Sequence, residues 1–349
     1  MSAEAGLLAI TLGDPCGIGP ETIAKAVAAR ATGPAVVVGD VAVLRRAVQQ
    51  CGLLLPVARL AQPGDAWRAP PGCIAVWQPP GLHDGLSHGL ADLPMGQVHA
   101  QAGQAAAACI SAAATLALRR EVAAIVTAPI HKEALAAAGV DFPGHTEMLQ
   151  AAAGGVPVRM MLANDELRVV LVTIHLALRR AIEQLDFDAV LHTLRIAHRS
   201  AAAWGQAAPR IAVAGLNPHA GEGGLFGDEE LRFIAPAVAA ARAEGIDARG
   251  PFAPDTVFMR ARHAAGHPGE FDLVVAMTHD HGLIPVKYLG VEQGVNVTLG
   301  LPFVRTSPDH GTAFDIAGSG RADAGSLVAA IRMARRLCAA APGPVSPGG

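Results

Sequence analysis

Short runs of apolar residues alternate along this chain with longer segments whose apolar residues recur at helical spacing. The apolar runs are continuous rather than alternating, which is typical of parallel strands covered on both faces by helices. We predict strands at Leu7–Leu12, Ala35–Val38, Ile74–Trp77, Ala123–Thr127, Val169–Ile174, Ile211–Leu216 and Leu273–Met277. We predict helices at Pro20–Ala29, Val98–Arg119, Lys132–Ala138, Phe187–Trp204, Asp228–Glu244 and Ala324–Ala341. This alternation predicts an α/β fold, with an irregular Pro- and Gly-rich excursion over 55–95.

The composition agrees with such a fold and argues against two kinds of partner. Hydrophobic residues make up 51% of the 349 residues and aromatic residues only 4%, so Ala-rich helices on a Val/Ile/Leu sheet can form the core. The net charge is −3 and no basic stripe is present, which argues against a nucleic-acid partner. No apolar run reaches the roughly 20 residues that span a bilayer, so we expect no membrane partner. The five cysteines are scattered without a C-x-x-C pair, and the first residues lack a basic signal region, so we expect a cytoplasmic protein with reduced thiols.

Histidines lie at or just beyond the ends of three predicted strands. These are His175, His219 and His279, and a fourth histidine, His145, begins a helix or turn. The carboxyl ends of parallel strands are where ligands bind in α/β proteins. Three imidazoles that converge there would form a catalytic metal site with open positions for a substrate.

Residue types that are rare in this chain point to the same stretch. The chain has 24 arginines but three lysines and three asparagines, and Lys287 and Asn296 both lie shortly after His279. A retained lysine indicates a position where a compact, titratable ammonium matters. Lys287 and Arg305 are suited to clamp a phosphate or carboxylate, although a structural ion pair with Asp309 or Asp315 is the alternative.

Two Gly-rich loops follow predicted strands, and a third, polar loop leads into a helix. The first covers 13–21 and opens a helix with a proline, a geometry that suits close approach of the backbone to an anion or a substrate. The second covers 221–227, and neither of these two has the spacing of the dinucleotide fingerprint. The third covers 308–318, and its expected partner is a nucleotide.

Seven motifs between about residues 7 and 335 carry a resemblance to one enzyme family. They are G-D-P-x-G-I-G-P-E at 13–21, T-A-P-I-H-K-E-A at 127–134, F-P-G-H-T-E at 142–147, L-N-P-H-A-G-E-G-G-L-F-G at 216–227, P-D-T at 254–256, H-D-x-G-L-I-P-V-K at 279–287 and G-V-N-V-T-L-G-L-P-F-V-R-T-S-P-D-H-G-T-A at 294–313. By these motifs the chain resembles the 4-hydroxythreonine-4-phosphate dehydrogenases of the pyridoxine (vitamin B6) pathway. The last region also resembles the nucleotide loop of isopropylmalate and isocitrate dehydrogenases.

The resemblance implies two α/β/α domains with largely parallel sheets, like those of isocitrate and isopropylmalate dehydrogenases, with a cleft between the domains. The first domain would comprise 1–125 and 300–349 with the nucleotide loop, and the second 126–299 with the metal and substrate residues. The family further implies a homodimer with a shared active site, NAD or NADP as cofactor, and a divalent metal. Zinc is the first choice for the metal, with magnesium or cobalt as alternatives.

The resemblance also implies roles for individual residues. The metal ligands match His175, His219 and His279. The substrate-binding residues match His145, Thr146, Lys287, Asn296 and Arg305. The cofactor-binding residues are expected at Asp309, His310, Gly311, Thr312 and Asp315. Lys287 would be the catalytic base or proton relay, and Asp280 would orient a ligating histidine.

The implied reaction is oxidation of 4-phosphohydroxy-L-threonine by NAD to a 3-keto acid, which loses carbon dioxide to give 3-amino-2-oxopropyl phosphate. The chain departs from the common family pattern at Cys16, Thr278 and His281, and the last two flank His279. Substrate preference is therefore open, and the first alternative is a D-threonate or D-erythronate 4-phosphate dehydrogenase. A cis-dihydrodiol dehydrogenase of terephthalate breakdown ranks after it. A phosphate acetyltransferase-like enzyme is the alternative from another class, but it would not need three strand-end histidines beside a lysine.

Overall fold

A computed structural model describes residues 6–83, 89–203 and 206–340. The strands within these ranges are β1 Leu8–Thr11, β2 Ala35–Val38, β3 Val57–Arg59, β4 Ile74–Trp77, β5 Ala124–Thr127, β6 Arg159–Ala163, β7 Arg168–Leu171, β8 Ile211–Ala214, β9 Ala248–Phe252, β10 Leu273–Ala276, β11 Val295–Leu299 and β12 Val304–Pro308. The α-helices are α1 Gly19–Ala28, α2 Val41–Gln50, α3 Pro80–His83, α4 Ala100–Leu118, α5 Lys132–Ala137, α6 His145–Ala152, α7 Leu178–Glu183, α8 Phe187–Ala203, α9 Ala235–Ala243, α10 Val257–Ala261, α11 His279–Tyr288 and α12 Gly325–Ala340. A π-helical turn, Glu230–Ile234, leads into α9.

The chain forms two compact units. The first runs to Pro157 and resumes at Leu301–Ala339, and the second is Val158–Gly300. The sequence placed the first boundary at 125/126, whereas the structure places it at 157/158. The difference arises because β5 pairs in parallel with β1 and β12, and the helices α5 and α6 that follow it pack on α4 of the first unit. The predicted domain ends at 1–5 and 341–349 lie outside the described residues.

The first unit is built on an entirely parallel sheet. Its strand order is β3-β4-β2-β1-β5-β12, and β1 and β5 in its middle are fully buried. The Ala-rich helix α4 packs so closely on α5 that a Cβ added to Gly103 would lie 2.0 Å from the carbonyl oxygen of Ala134. Small side chains therefore set the spacing of these two helices.

The second unit has a mixed sheet. Its strand order is β11-β6-β7-β10-β8-β9, where β6 pairs antiparallel with β11 and β7, and the remaining pairs are parallel. Val169, Leu171, Ala212 and Val274 on the parallel strands pack with Phe271 in its core. Burial on both faces explains why these strands are continuously apolar.

The predicted α/β class is confirmed, and so are all seven predicted strands and all six predicted helices, with the described ends shifted by a few residues. The predicted helix ends Trp204 and Ala341 lie outside the described residues. The sequence did not predict β3, β6, β9, β11 or β12, several of which carry polar residues. It also missed α2, α3, α7, α10 and α11 as helices, and it left a helix or a turn open at His145, where α6 begins. The excursion at 55–95 is only partly irregular, since β3 joins the predicted β4 in the parallel sheet.

Among the described residues, α4 is the one helix whose length and apolar composition would let it cross a membrane. Its 19 residues make it longer than the apolar run seen in the sequence. However, 56% of its most apolar window is buried within the protein, which is typical of a core helix.

Candidate active site

The ends of β7 and β10 are held together in the second unit beyond the last paired residues of the strands. The backbone N–H of Val172 donates to the carbonyl of Ala276 at 2.9 Å. The N–H and the hydroxyl of Thr173 both donate to the carbonyl of Met277, at 3.2 and 2.8 Å. These bonds fix the register in which His175 and His279 leave the sheet.

As a result, the rings of His175 and His279 are neighbours. Their centroids are 5.4 Å apart and their planes are tilted by 49°. Two imidazoles on one tetrahedral zinc, with Zn–N of about 2.0–2.1 Å, would have ring centres about 5 Å apart. The pair therefore has a spacing suited to a shared metal ion.

Asp280 contacts one member of this pair. Its Oδ1 lies 2.8 Å from Nδ1 of His279. When Nδ1 carries the proton and donates it to Asp280, Nε2 of His279 keeps its lone pair for a metal. His279 also begins α11, directly after the extended residue Thr278.

The histidine pair lines a cavity of about 550 Å³ in the second unit. Its polar wall includes Asn217, Glu229 and His281, and its apolar wall comes mainly from α7 and the residues before it. Leu176, Leu178 and Ile182 of that wall are 43%, 64% and 38% exposed. The cavity thus contains polar side chains and has an exposed apolar rim.

His219 lies on a strained loop after β8. Residues 219–223 all have positive φ, between 44° and 80°, although three of them are not glycine. A left-handed conformation costs a non-glycine residue roughly 1–2 kcal/mol. Strain of this kind persists only where the surrounding structure imposes it, and it is concentrated at functional sites.

Glu230 anchors the residues that lead into this loop. It is 2% exposed, and its Oε1 accepts the N–H groups of Leu216 and Asn217 at 2.7 and 2.8 Å. Its Oε2 accepts the side-chain amide of Asn217 at 2.9 Å. Burial alone would raise the pKa of Glu230, but these hydrogen bonds outweigh it and leave the pKa lowered.

His219 does not join the histidine pair within one chain. Its ring lies 6.1 Å from that of Phe226, and neither His219 nor Lys287 is among the described residues that line the cavity. The described part of the chain holds no group of three His, Cys, Asp or Glu side chains that could bind a metal. The structure therefore brings together two of the three predicted ligands.

The other predicted residues of the second unit lie on regular elements. Lys287 is exposed in the last turn of α11, about 12 Å along the helix from His279 at 1.5 Å per residue. Asn296 is half-buried on β11, opposite Leu162 of β6.

The first unit holds the predicted substrate residues His145, Thr146 and Arg305. Arg305, on β12, is 3% exposed and donates to the hydroxyl of Thr127 at 2.7 Å. Burial lowers the pKa of Arg305 to about 10, so it remains a cation at neutral pH. Burial, reinforced by the charge of Arg305, keeps the pKa of His145 well below its usual value. Arg305 therefore supplies a buried positive charge near His145, of the kind that binds phosphate.

The predicted cofactor residues lie together after β12. Thr312 is buried and its carbonyl accepts the N–H of Ile18 at 3.0 Å, while Gly311 and Asp315 are exposed and Asp309 is half-buried. His310 has its Nδ1 3.0 Å from the carbonyl of Gly311, and its Nε2 is buried with no hydrogen-bond partner among the described residues. An orphaned ring nitrogen at this loop fits a ligand that supplies a hydrogen-bonding group.

Sequence reasoning missed Glu230 and the role of Asn217. The rarity of asparagine had marked Asn217 as one of three, but nothing linked it to a carboxylate 13 residues later. A glutamate on the apolar side of a helix that follows a Gly-rich loop is the signal that could have found it.

Comparison with known proteins now identifies the chain's relatives. Residues 31–334 match the family model described as pyridoxal phosphate biosynthetic protein PdxA. A 4-hydroxythreonine-4-phosphate dehydrogenase of Beijerinckia indica is 56% identical, over 95% of this chain and 94% of that one. A D-threonate 4-phosphate dehydrogenase of Salmonella typhimurium is 46% identical, over 96% and 99%.

A solved structure agrees with these relatives. The 4-hydroxythreonine-4-phosphate dehydrogenase of Klebsiella pneumoniae superposes with a TM-score of 0.87 and 44% identity, over 96% of this chain and 98% of that one. The resemblance first seen in the motifs is thereby confirmed, and the chain belongs to the PdxA family of dehydrogenases.

Proposed function

We propose that this protein oxidises 4-phosphohydroxy-L-threonine with NAD to a 3-keto acid, which then loses carbon dioxide to give 3-amino-2-oxopropyl phosphate. The observation that carries the proposal is the His175–His279 pair with Asp280 behind it, in a cavity large enough for a small substrate. The 56% identity to a relative of that name supports this substrate over others.

The chain's residues divide the work as follows. His175 and His279 would hold a divalent cation, zinc first, whose chemistry when bound is to lower the pKa of a substrate hydroxyl. Lys287, which does not line the cavity of its own chain, would take the hydroxyl proton as base or proton relay, and Arg305 would bind the phosphate through its buried guanidinium. His145, Thr146 and Asn296 would orient the substrate. The loop with Asp309, His310, Gly311, Thr312 and Asp315 would bind NAD, the hydride acceptor.

We further propose that the protein works as a homodimer in which a second copy supplies the third metal ligand, His219. Two facts support this: His219 does not line its own chain's cavity, and the rim of that cavity is apolar and exposed. Large uncovered apolar surface at a functional site is typical of an interface. Because the substrate and NAD are small intracellular metabolites and all five cysteines are free, we also place the enzyme in the cytoplasm.

Subunit mixing tests the shared site. His219→Ala and His279→Ala should each abolish turnover and metal binding as homodimers. A mixed dimer of the two variants would contain one intact site, so random mixing should restore about a quarter of wild-type activity. Absence of any recovery, with mixed dimers demonstrated by tagging, would place all three ligands in one chain. Full activity of metal-free His279→Ala protein would refute the metal role itself.

A substrate panel tests the reaction. 4-Phosphohydroxy-L-threonine, D-threonate 4-phosphate and D-erythronate 4-phosphate are assayed with NAD and NADP, and we expect the absorbance at 340 nm to rise fastest for the first substrate with NAD. The sugar-acid phosphates remain the second candidate, because the D-threonate 4-phosphate dehydrogenase relative is 46% identical and His281 lines the cavity. Activity with those two alone would replace the leading substrate. No absorbance rise with any substrate would favour the phosphate acetyltransferase-like alternative.

A further inference from the structure

A buried carboxylate in the first unit lacks part of its hydrogen bonding. Asp14 follows β1, and it is 1% exposed. Its Oδ1 accepts the N–H of Cys16 at 2.8 Å, but its Oδ2 is buried with no hydrogen-bond partner among the described residues. A buried acceptor without a donor costs roughly 1–3 kcal/mol, so this atom requires an explanation.

Two imidazoles beside Asp14 have the same deficit. His99 and His131 directly precede α4 and α5, and the segments before both helices contact the turn around Asp14. The N–H of Asp14 donates to the carbonyl of Pro129 at 2.8 Å, and the N–H of Gly96 donates to the carbonyl of Cys16 at 2.9 Å. Burial raises the pKa of Asp14, while the N–H of Cys16 and these histidines oppose the rise. Nε2 of His99 and Nδ1 of His131 are also buried without a partner in the described part of the chain. Asp14, His99 and His131 therefore each have one buried polar atom without a hydrogen-bond partner among the described residues.

This cluster adjoins the predicted nucleotide loop. The ring of His131 stacks on Phe314, with centroids 4.5 Å apart and planes 12° from parallel. The carbonyl of Cys16 accepts the N–H of Gly96 at 2.9 Å, and a Cβ added to Gly96 would lie 2.4 Å from the carbonyl oxygen of Phe314. The turn after β1, the segment before α4 and the nucleotide loop are thus packed backbone against backbone.

The donor and acceptor pattern narrows the class of ligand. A carboxylate only accepts hydrogen bonds, whereas each neutral imidazole nitrogen can donate or accept according to its tautomer. A phosphate would meet repulsion from Asp14. A sugar diol, whose hydroxyls donate to the carboxylate and exchange hydrogen bonds with the rings, satisfies all three atoms.

We propose that Asp14, His99 and His131 bind a ribose of the nicotinamide dinucleotide, with Asp14 accepting a hydrogen bond from a ribose hydroxyl. The inference rests on the proposed function, since it assumes that the cofactor is a nicotinamide dinucleotide. It adds a sugar-binding subsite to the loop at 309–315 and explains why the first Gly-rich turn carries a carboxylate.

Calorimetric titration of the metal-free protein with NAD, AMP and nicotinamide mononucleotide tests this subsite without turnover. Asp14→Asn should weaken NAD binding about 10-fold or more, and His99→Gln and His131→Gln about 3- to 10-fold each, as expected for lost hydrogen bonds to a buried ligand. At least one of the two half-molecules should lose affinity in parallel.

Asp40 provides a matched control in the same unit. It is also buried after a parallel strand, but its two oxygens already accept the N–H of Val43 at 2.9 Å and the amide of Gln78 at 3.3 Å. Asp40→Asn should leave NAD affinity within twofold of wild type, whatever it does to stability.

The outcomes separate the two proposals. Wild-type protein that binds and reduces NAD, with all three cluster variants within twofold of it for every nucleotide, would overturn the subsite alone. Wild-type protein that binds no nicotinamide nucleotide would overturn the proposed function as well. If Asp14→Asn does not fold, hydrogen exchange of the wild type decides: NAD should protect the amides of 13–19, 96–101 and 128–133, and unchanged exchange there would overturn the subsite.

Discussion

Asp14 in the first unit and Glu230 in the second are both buried carboxylates near the ends of parallel strands, yet their surroundings are opposite. Glu230 accepts three hydrogen bonds from Leu216 and Asn217, and its pKa is lowered. Asp14 accepts one from Cys16, and its pKa is raised. The contrast separates two roles: a carboxylate completed by its own chain shapes the protein, and one left incomplete is available to a ligand.

The largest expected change in unfolding free energy comes from substitution of Glu230. Glu230→Gln would replace an acceptor of three hydrogen bonds by an amide that brings donors to the same N–H groups, so we expect unfolding free energy to fall by about 3 kcal/mol. Chemical denaturation measures it. Glu229→Gln is the control, because Glu229 accepts only the Asn217 amide at 2.7 Å and should cost less than about 1 kcal/mol. A Glu230→Gln protein as stable as wild type would remove the structural half of the comparison.

The loop that Glu230 organises should be the next most sensitive feature. Gly221 has φ +80°, and a Cβ there would lie 2.8 Å from Oε2 of Glu230, so Gly221→Ala should cost about 2–3 kcal/mol. Gly223 has φ +69° but open space around it, so Gly223→Ala should cost only about 1 kcal/mol. Equal losses in thermal unfolding would mean that contact with Glu230 is unimportant.

Substitution of Asp14 should change the unfolding free energy in the opposite direction when no ligand is bound. A carboxyl with a raised folded pKa destabilises the protein once it is ionised at neutral pH. Asp14→Asn should therefore stabilise the metal- and nucleotide-free protein, by up to about 1 kcal/mol, while weakening NAD binding. A loss of more than 1 kcal/mol in denaturation would reveal a structural role for this carboxylate.

The smallest expected effect is the pH dependence of these stability differences, and it distinguishes Glu230 from Asp14 most clearly. Because the folded pKa of Glu230 is lowered, the stability it provides is present above its unfolded pKa of 4.5 and is lost as pH falls through the folded value. The deficit of Glu230→Gln should accordingly shrink below about pH 4.5. The advantage of Asp14→Asn should shrink as pH falls through the raised pKa of Asp14 towards 3.8. Written as variant minus wild type, the difference in unfolding free energy should rise towards zero for Glu230→Gln and fall towards zero for Asp14→Asn as the pH drops. Denaturation from pH 3 to 8 would refute both assignments if the two signed differences changed in the same direction.

The sequence predicted much of the second unit's site because continuous apolar strands are easy to recognise. Strand ends led to His175 and His279, and the structure shows them as neighbours. The sequence could not predict the hydrogen bonds from Thr173 to Met277, because the register between strands about a hundred residues apart leaves no local signal.

Other elements were hidden by polar or helix-breaking residues. The helix α11 contains Gly282 and Pro285, so its sequence resembles a loop. The strand β12 carries Arg305, Thr306 and Ser307, whose burial depends on tertiary partners. Likewise, the site of Asp14 could not be predicted, because His99 and His131 reach it from helix starts that only the packing of the first unit brings near.

Because of that packing, the contact between Gly103 and Ala134 affects residues beyond the two helices that form it. With the backbone of Gly103 against Ala134, the start of α5 has no room to move towards α4, and His131 precedes that helix. Even one methyl group added at position 103 would push α5 aside and shift the His131 ring from its place on Phe314. If His131 binds the ribose as proposed, enzyme engineers can use residue 103 to adjust cofactor affinity from a distance.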